Sequence, residues 1–362
     1  MSRESIWRCL TIAALLTAPG AVADAQKPRN IPLDKGLVLT WVSSLGKEPD
    51  WESRVEIVDS SEVAVTLRNS WNRGSKPGAD QWRTSERDLM HLIRQTTRSF
   101  YGSLIDPNHD SYLMATFLMA PVAVLTDLKT TARADVELYV PELSRLPYTG
   151  TITRVGGEDF PVVFNDQRTT VHGVRAKGTL RNPRAQHSEL RVSFLVLDDA
   201  VAPWLVELEL VRPDGFRGHK QLARVSYKSN VEADLASRCR ATVYDIRFAT
   251  GSAEIDPASS ETIAAIAKAI TTHRDWRLEI VGHTDSIGGE SANLDLSRRR
   301  AEATRLALVT THRVEAARLR AEGRGEGQPI EDNGTLAGRA RNRRVELIRE
   351  CPRGTQPTGI SP

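Results

Sequence analysis

Apolar residues recur along the first two thirds of the chain in short runs, with the length and alternation typical of β-strands. Turn-forming residues separate the runs, among them Asp59-Ser60, Pro77-Gly78 and Gly156-Gly157. The pattern predicts a β-rich, sandwich-like domain over residues 26–230, with one helix at about residues 121–129. The predicted strands include residues 36–42, 54–58, 63–67, 136–140, 190–197 and 205–210.

The pattern changes in the C-terminal third, where helical periodicity alternates with strands. Residues 240–350 are predicted to contain, in order, strand, helix, strand, helix, strand and strand. Residues 231–239 are predicted to be the linker that precedes this second domain. The chain as a whole is therefore predicted to have an α+β fold.

The two predicted helices of the second domain have recognisable starts and apolar faces. Asp256 is a suitable N-cap for the first helix, and Pro257 is tolerated in a first turn. The second helix is predicted to start near Asn293. The first helix is predicted to bury Ile263, Ile266 and Ile270, and the second Leu296, Ala303, Leu306 and Val309 or one of its neighbours.

Composition excludes some classes of protein. The chain has 362 residues, 40% hydrophobic and 26% charged, which suits two globular domains. Its 49 basic and 46 acidic residues leave a net charge of +3, too small to indicate nucleic-acid binding. The apolar run at 113–125 is too short to span a bilayer, so no transmembrane helix is expected in the mature chain. The eight His form no metal-ligand motif, and no metal or cofactor is predicted.

Residues 1–25 resemble a secretory signal peptide. Arg3 and Arg8 precede an apolar run at 10–16, and Ala23 and Ala25 fit a cleavage site for small residues. A lipid-anchored cysteine needs a small residue before it, and Arg8 precedes Cys9, so no lipid anchor is expected. The mature protein is therefore predicted to be exported.

Two cysteines remain after removal of the leader, Cys239 and Cys351, one on each side of the second domain. An even pair in an exported protein favours a disulfide, although two free thiols are the alternative. The bridge would close a loop of about 110 residues, worth roughly 4–5 kcal/mol in chain entropy. The tail, residues 351–362, is rich in Pro, Gly and Thr and is predicted to be disordered.

An acid and a base lie close together around the second strand and helix of this domain. Asp285 follows an alternating run at 276–281, and Arg300 lies in the early turns of the next helix. Asp285 can accept hydrogen bonds from an ammonium, and the guanidinium of Arg300 can hold a carboxylate with two parallel hydrogen bonds. On chemistry alone, a capping Asp and a solvated Arg remain the alternative interpretation.

Three blocks of sequence follow one another in the second domain. They are Thr284-Asp285 with Gly288, then Asn293 with Leu296-Ser297 and Arg300-Ala301, then Gly338-Arg339-Ala340 with Asn342-Arg343-Arg344-Val345-Glu346. In this order, the blocks resemble the C-terminal peptidoglycan-binding module of the OmpA family. The resemblance covers roughly 110 residues and implies a β-α-β-α-β-β mixed sheet with helices packed on it.

The resemblance implies a site and a ligand. It places Asp285 and Arg300 as the principal contacts of the peptidoglycan stem peptide, at its diaminopimelate residue, and Asn293 and Arg343 as residues that line or brace the pocket. Thr284 and Asn342 are expected to be supports, and Arg344 a solvated strand residue. The implied function is non-covalent anchoring to the cell wall by a non-enzymatic periplasmic protein, with a location at the outer membrane left open.

Alternatives remain for the rest of the chain. The N-terminal domain is unassigned and is a candidate to dock another envelope protein. It is also the place for catalysis if the protein is an enzyme that processes envelope polymers and uses the second domain for targeting. A third alternative is an outer-membrane barrel with a wall-binding domain, although most of the predicted strands are shorter than the 9–11 residues that a barrel needs.

Overall fold

The structure is a computed structural model that describes residues 30–46, 50–61, 64–71, 83–90, 98–101, 119–140, 143–144, 146–227, 230–249 and 251–350. The predicted signal peptide, the predicted tail and Cys351 lie outside the described residues. Within those residues, no helix has both the length and the hydropathy that crossing a membrane requires.

The described N-terminal part is built on one large sheet. Its strands are β1 (Leu37–Leu45), β2 (Trp51–Ser60), β3 (Ala64–Trp71), β4 (Arg83–Met90), β5 (Ser99–Tyr101), β6 (Arg133–Tyr139), β7 (Tyr148–Phe164), β8 (Gln167–Arg181), β9 (Glu189–Leu197), β10 (Leu205–Val211) and β11 (Arg217–Tyr227). They are ordered β4-β3-β2-β1-β11-β10-β9-β8-β7-β6-β5. A bridge between Val225 of β11 and Phe164 of β7 also brings these two strands together, so the sheet curves back on itself.

Both faces of this sheet are buried around β9, which explains why that strand is apolar on both sides. Phe194 packs in one cluster with Leu128 of helix α1 (Val122–Thr130), whereas the next residue, Leu195, packs in another cluster with Trp204. Successive side chains of a strand point to opposite faces, so neighbours enter different clusters. The predicted helix at 121–129 is confirmed, and the two layers of the sandwich-like domain come from one curved sheet and this helix.

The C-terminal part has a second, smaller sheet. Its elements are α2 (Val231–Arg238), β12 (Arg240–Val243), α3 (Ser260–Thr272), β13 (Leu278–His283), α4 (Glu290–Thr310), β14 (Leu319–Gly325), α5 (Leu336–Asn342) and β15 (Val345–Arg349). The strand order is β12-β15-β13-β14, with β13 and β14 parallel and the other pairs antiparallel. The α+β class and the mixed β-α-β-α-β-β sheet are confirmed, and α5 is a short additional helix before the last strand.

Residues 231–239, predicted to be a linker, form α2 and its C-cap. The side chain of Asn230 caps the helix by accepting a hydrogen bond from the backbone N–H of Ala233 at 3.1 Å. Val231 and Leu235, four residues apart on one face, are buried in the core of the C-terminal part. The segment therefore packs as part of the second domain.

The start of α3 follows the prediction. The side chain of Asp256 accepts a hydrogen bond from the backbone N–H of Ala258 at 2.8 Å, and a 3₁₀ turn at Pro257–Ser259 leads into the helix. The three predicted core residues, Ile263, Ile266 and Ile270, are buried.

The apolar face predicted for α4 is wrong at Leu306, although Leu308, a neighbour of Val309, is buried as predicted. Leu306 is 44% exposed, whereas the side chains that α4 buries against the sheet are mostly small or polar. The buried positions are Asn293, Ser297, Ala301, Thr304 and Leu308.

Close approach of α4 to the sheet explains this choice of residues. A Cβ added to Gly282 of β13 would overlap the backbone carbonyl of Ser297, and one added to Gly323 of β14 would overlap the backbone N–H of Arg298. With the helix backbone this near to two strands, only short side chains fit between them. Hydrophobic periodicity therefore could not identify the buried face.

The two domains are in contact through α5. Leu336, Ala337 and Ala340 of this helix form one apolar cluster with Val42 of β1 and Ala223 of β11. Ion pairs surround the cluster, joining Arg54 to Asp245, Asp50 to Arg339, Glu52 to Arg343 and Arg168 to Glu331.

A Gly282→Ala substitution tests the close approach of α4. We expect it to lower the free energy of unfolding by about 1–3 kcal/mol, because the added methyl has to displace helix backbone rather than a flexible side chain. The measurement is urea unfolding followed by circular dichroism.

Gly327→Ala is the matched control, since a Cβ there meets only the carbonyl oxygen of Arg324 at an ordinary 3.4 Å. Its unfolding midpoint is expected to stay near that of the wild type. Equal stability of Gly282→Ala and the wild type would contradict the packing described.

Candidate functional site

A cavity of about 450 Å³ lies at the end of β13, beside the first turns of α4. All four site residues predicted from the sequence, Asp285, Asn293, Arg300 and Arg343, line it. They come from the loop after β13, from α4, which follows that loop directly, and from the C-cap of α5, which the fold brings in from further along the chain.

Asp285 is held in place from two sides. One carboxylate oxygen accepts a hydrogen bond from the backbone N–H of Ile287 at 3.0 Å, and the other accepts one from Nη1 of Arg343 at 2.7 Å. The residue is only 8% exposed. Each carboxylate oxygen has a further lone pair, so the group can accept more hydrogen bonds from a ligand.

The loop that carries Asp285 is shaped by glycine. Gly288 and Gly289 both have positive φ, at 107° and 88°, a conformation that other residues adopt only with strain. Gly289 is the residue from which α4 begins. The turn at this pair lets α4 run back past the end of β13.

Arg300 approaches the cavity from α4. Its Nε donates to the carbonyl of Ser252 at 2.9 Å and its Nη2 to the carbonyl of Ala249 at 3.2 Å. Burial, together with the nearby charge of Arg343, lowers the pKa of Arg300 to about 10, although the charge of Asp285 opposes the shift. The side chain therefore stays cationic at neutral pH.

No hydrogen bond joins Arg300 to Asp285 in the part of the chain that the structure describes. A guanidinium has five N–H donors, and the two backbone carbonyls occupy two of them. An acid and a base thus face one cavity with hydrogen-bonding capacity left over. This arrangement suits a ligand that carries an ammonium and a carboxylate.

Asn293 and Arg343 brace Asp285. Nδ2 of Asn293 donates to the backbone carbonyl of Asp285 at 3.0 Å and to the carboxylate of Glu326 at 2.5 Å. Arg343 donates to the Asp285 side chain and, through Nη2, to the carboxylate of Glu52 at 3.1 Å. Burial alone would lower the pKa of Arg343, but the charges of Glu52 and Asp285 outweigh it and raise that pKa.

Asn342 orders the chain between β14 and α5. Its side-chain oxygen accepts from the backbone N–H groups of Ile330 and Glu331, at 2.9 and 3.1 Å, and its Nδ2 donates to the carbonyl of Glu331 at 2.8 Å. The residue is fully buried. Asn342 therefore supports a loop and does not itself line the cavity.

The sequence interpretation of Arg344 as a solvated residue is wrong. Arg344 is 5% exposed, pairs with Glu346 at 2.7 Å and lines the cavity. His283 lies nearby and is also buried. Burial, aided by the charge of Arg344, lowers the pKa of His283 to about 4, so this imidazole is uncharged at neutral pH.

Sequence reasoning missed the part of the cavity that comes from the N-terminal domain. Asp50, Trp51 and Glu52, at the start of β2, line it together with the C-terminal residues. No motif marks these three residues, and their position follows only from the way the two domains pack. A description of the site from the second domain alone is therefore incomplete.

Comparisons with known proteins identify the family of part of the chain. The sequence profile of the OmpA family matches residues 247–343. Among curated proteins, the probable lipoprotein YiaD of Escherichia coli is 37% identical over 103 residues, which are 28% of this chain and 47% of YiaD. The peptidoglycan-binding protein ArfA of Mycobacterium bovis is 37% identical over 117 residues, or 32% of this chain and 36% of ArfA.

A solved structure also matches part of the chain. The peptidoglycan-associated lipoprotein of Burkholderia pseudomallei is 30% identical, with 32% of this chain and 92% of that chain covered and a TM-score of 0.28. The chain thus spans less than half the length of the two curated relatives named above. Residues 247–343 of this protein form a domain of the OmpA family.

Proposed function

We propose that this protein binds peptidoglycan non-covalently through its OmpA family domain and so anchors an exported envelope protein to the cell wall. The observation that carries the proposal is the cavity with Asp285 and Arg300 on its walls, close in space and not hydrogen-bonded to each other. A site of this kind is built to receive opposite charges carried by a ligand.

The ligand that fits best is the free end of a diaminopimelate side chain in the stem peptide. This end is an amino-acid head group, so it has one ammonium and one carboxylate at a fixed separation. The ammonium would donate to Asp285, and the carboxylate would accept from Arg300. Asn293 and Arg343 would keep Asp285 oriented for this contact.

The names of two relatives support the wall as the binding partner. ArfA is named a peptidoglycan-binding protein, and the Burkholderia structure is that of a peptidoglycan-associated lipoprotein. We assign this protein to the periplasm, attached to the wall and close to the outer membrane, with residues 1–25 as the export signal. The N-terminal domain would then be available to hold an envelope partner, and the protein would act as an anchor rather than an enzyme.

We also propose the Cys239–Cys351 disulfide for the exported protein. Cys239 is buried at the end of α2, and its carbonyl accepts a hydrogen bond from the backbone N–H of Arg349 at 2.9 Å. Residue 351 is two positions further along the chain from Arg349, which supports the proposed pairing. The bridge would join the ends of the OmpA family domain.

Binding to purified sacculi tests the anchor and its site together. Asp285→Asn keeps the shape of the side chain but removes its charge, and Arg300→Lys keeps the charge but loses the planar fork. A hydrogen bond to a charged group contributes about 1.5–3 kcal/mol, so each variant should bind roughly ten- to a hundredfold more weakly than the wild type. The measurement is co-sedimentation of the full-length mature protein over a range of concentrations.

Arg298→Ala is the matched control for this experiment, because Arg298 lies on the same helix, is largely exposed and pairs with Asp295. It should sediment like the wild type. Equal sedimentation of all four proteins would place the contact elsewhere, and no sedimentation of the wild type would contradict the proposed function. Release of soluble wall fragments during incubation would instead indicate an enzyme.

The disulfide gives a separate prediction. Cys351→Ser should lower the free energy of unfolding by on the order of 4 kcal/mol, the chain-entropy value for a loop of this length. The oxidised wild type, denatured without reductant, should take up no thiol-alkylating reagent. Two alkylated cysteines, with unchanged stability of Cys351→Ser, would contradict the bridge.

A further inference from the structure

We propose that Glu52 of the N-terminal domain determines the ligand specificity of the wall-binding cavity, by restoring the negative charge on the wall that carries Asp285. This inference rests on the proposed function and adds a residue from outside the OmpA family domain to the site. The ligand expected from this inference carries both an ammonium and a carboxylate at its free end.

Strand alternation in β2 turns Glu52 toward the site. Trp51 is 4% exposed and packs in the core of the N-terminal domain. Residues on either side of it point to the opposite face of the strand, so Asp50 and Glu52 both face the second domain. Glu52 is paired in the sheet with Val42, which itself packs against α5.

Two ion pairs fix α5 to this end of β2. Arg339 donates to the carboxylate of Asp50 at 2.7 Å, and Arg343 donates to that of Glu52 at 3.1 Å. Four residues along a helix and two residues along a strand both span about 6–7 Å, so the two pairs are in register. These two neighbouring ion pairs therefore hold Glu52 at the cavity.

Charges on the cavity wall explain what Glu52 contributes. Arg343 holds Asp285 at 2.7 Å, so within the OmpA family domain alone the negative charge of Asp285 is offset by an adjacent cation. An incoming ammonium would then meet a nearly neutral pair. Glu52 binds the same guanidinium and offsets it in turn, so the three groups together carry one net negative charge.

Two parts of the complete cavity consequently carry opposite charges. The wall with Asp285, Arg343 and Glu52 is net negative, and Arg300 supplies a positive charge. A head group with both charges matches this arrangement, whereas a simple carboxylate matches only Arg300. Arginines outnumber carboxylates in the lining even with Glu52 present, so the contribution of Glu52 is local. Without Glu52, the wall beside Asp285 would lose its net negative charge, and the attraction for an ammonium would weaken.

Glu52 lines the cavity and does not fill it. The volume of about 450 Å³ is present with Glu52 in contact with Arg343. The side chain of Glu52 therefore lies in the wall, and a ligand can enter without displacing it. This distinguishes a specificity residue from one that blocks the site.

The test is Glu52→Gln in the full-length protein, which keeps the size of the side chain and an oxygen for Arg343. The ligands are three synthetic stem tripeptides, Ala-γ-Glu-X. X is diaminopimelate, with both charges at its free end, or lysine, with only the ammonium, or 2-aminopimelate coupled through its amine, with only the carboxylate. Isothermal titration calorimetry gives the three dissociation constants.

We expect the variant to bind the diaminopimelate and lysine peptides about tenfold more weakly, with 2-aminopimelate binding unchanged or tighter. The preference for diaminopimelate over 2-aminopimelate would therefore fall by tenfold or more. Glu56→Gln is the matched control, because Glu56 is on the same strand and pairs with Arg68 at 3.1 Å. It should keep the wild-type preference.

Other outcomes overturn the proposal. An equal loss of affinity for all three peptides would show that Glu52 has a purely structural role. An equal gain of affinity would show that its side chain obstructs the cavity. If the wild type binds and Asp285→Asn does not, while Glu52→Gln keeps the wild-type preference, this inference fails and the proposed function stands. If the wild type binds none of the peptides, both fail.

Discussion

The guanidinium of Arg343 joins two carboxylates, and the rest of the site depends on that contact. One carboxylate, that of Asp285, belongs to the OmpA family domain, and the other, that of Glu52, belongs to the N-terminal domain. A buried arginine is stable only when its donors are matched by acceptors and its charge by anions. The fork of Arg343 meets both needs and places Asp285 at the cavity.

The same contact links binding to the arrangement of the domains. Α small apolar cluster between α5, β1 and β11 brings the start of β2 to the edge of the cavity. Ion pairs at Asp50 and Glu52 then fix the alignment. A change in domain packing would therefore alter the charge of the site directly, with no rearrangement inside the OmpA family domain.

Local patterns predicted those elements whose residues follow hydrophobic periodicity. The isoleucines of α3, its cap at Asp256 and the helix near residue 121 all follow simple rules of spacing and capping, and the structure agrees. The face of α4 could not be predicted in this way. Gly282 and Gly323 bring the helix backbone so near to the sheet that Ser297 is buried and Leu306 is left outside.

The site residues divide in the same way, into those that local motifs identify and those that only tertiary contacts explain. Spaced motifs were sufficient to select Asp285, Asn293, Arg300 and Arg343, and the fold brings all four to one cavity. Arg344 was misjudged because a charged residue beside a strand is usually solvated, whereas here Glu346 pairs with it in the interior. Glu52 could not be selected, since its role comes from contact between residues almost 300 positions apart.

The central claim is that one head group binds between Asp285 and Arg300 in a cavity completed by Glu52. A crystal structure of the full-length protein with the diaminopimelate tripeptide tests it most directly. We expect the ligand ammonium within hydrogen-bond distance of Asp285, the ligand carboxylate hydrogen-bonded to Arg300, and Arg343 still bound to Glu52. A ligand carboxylate on Arg343, with Glu52 displaced, would contradict it.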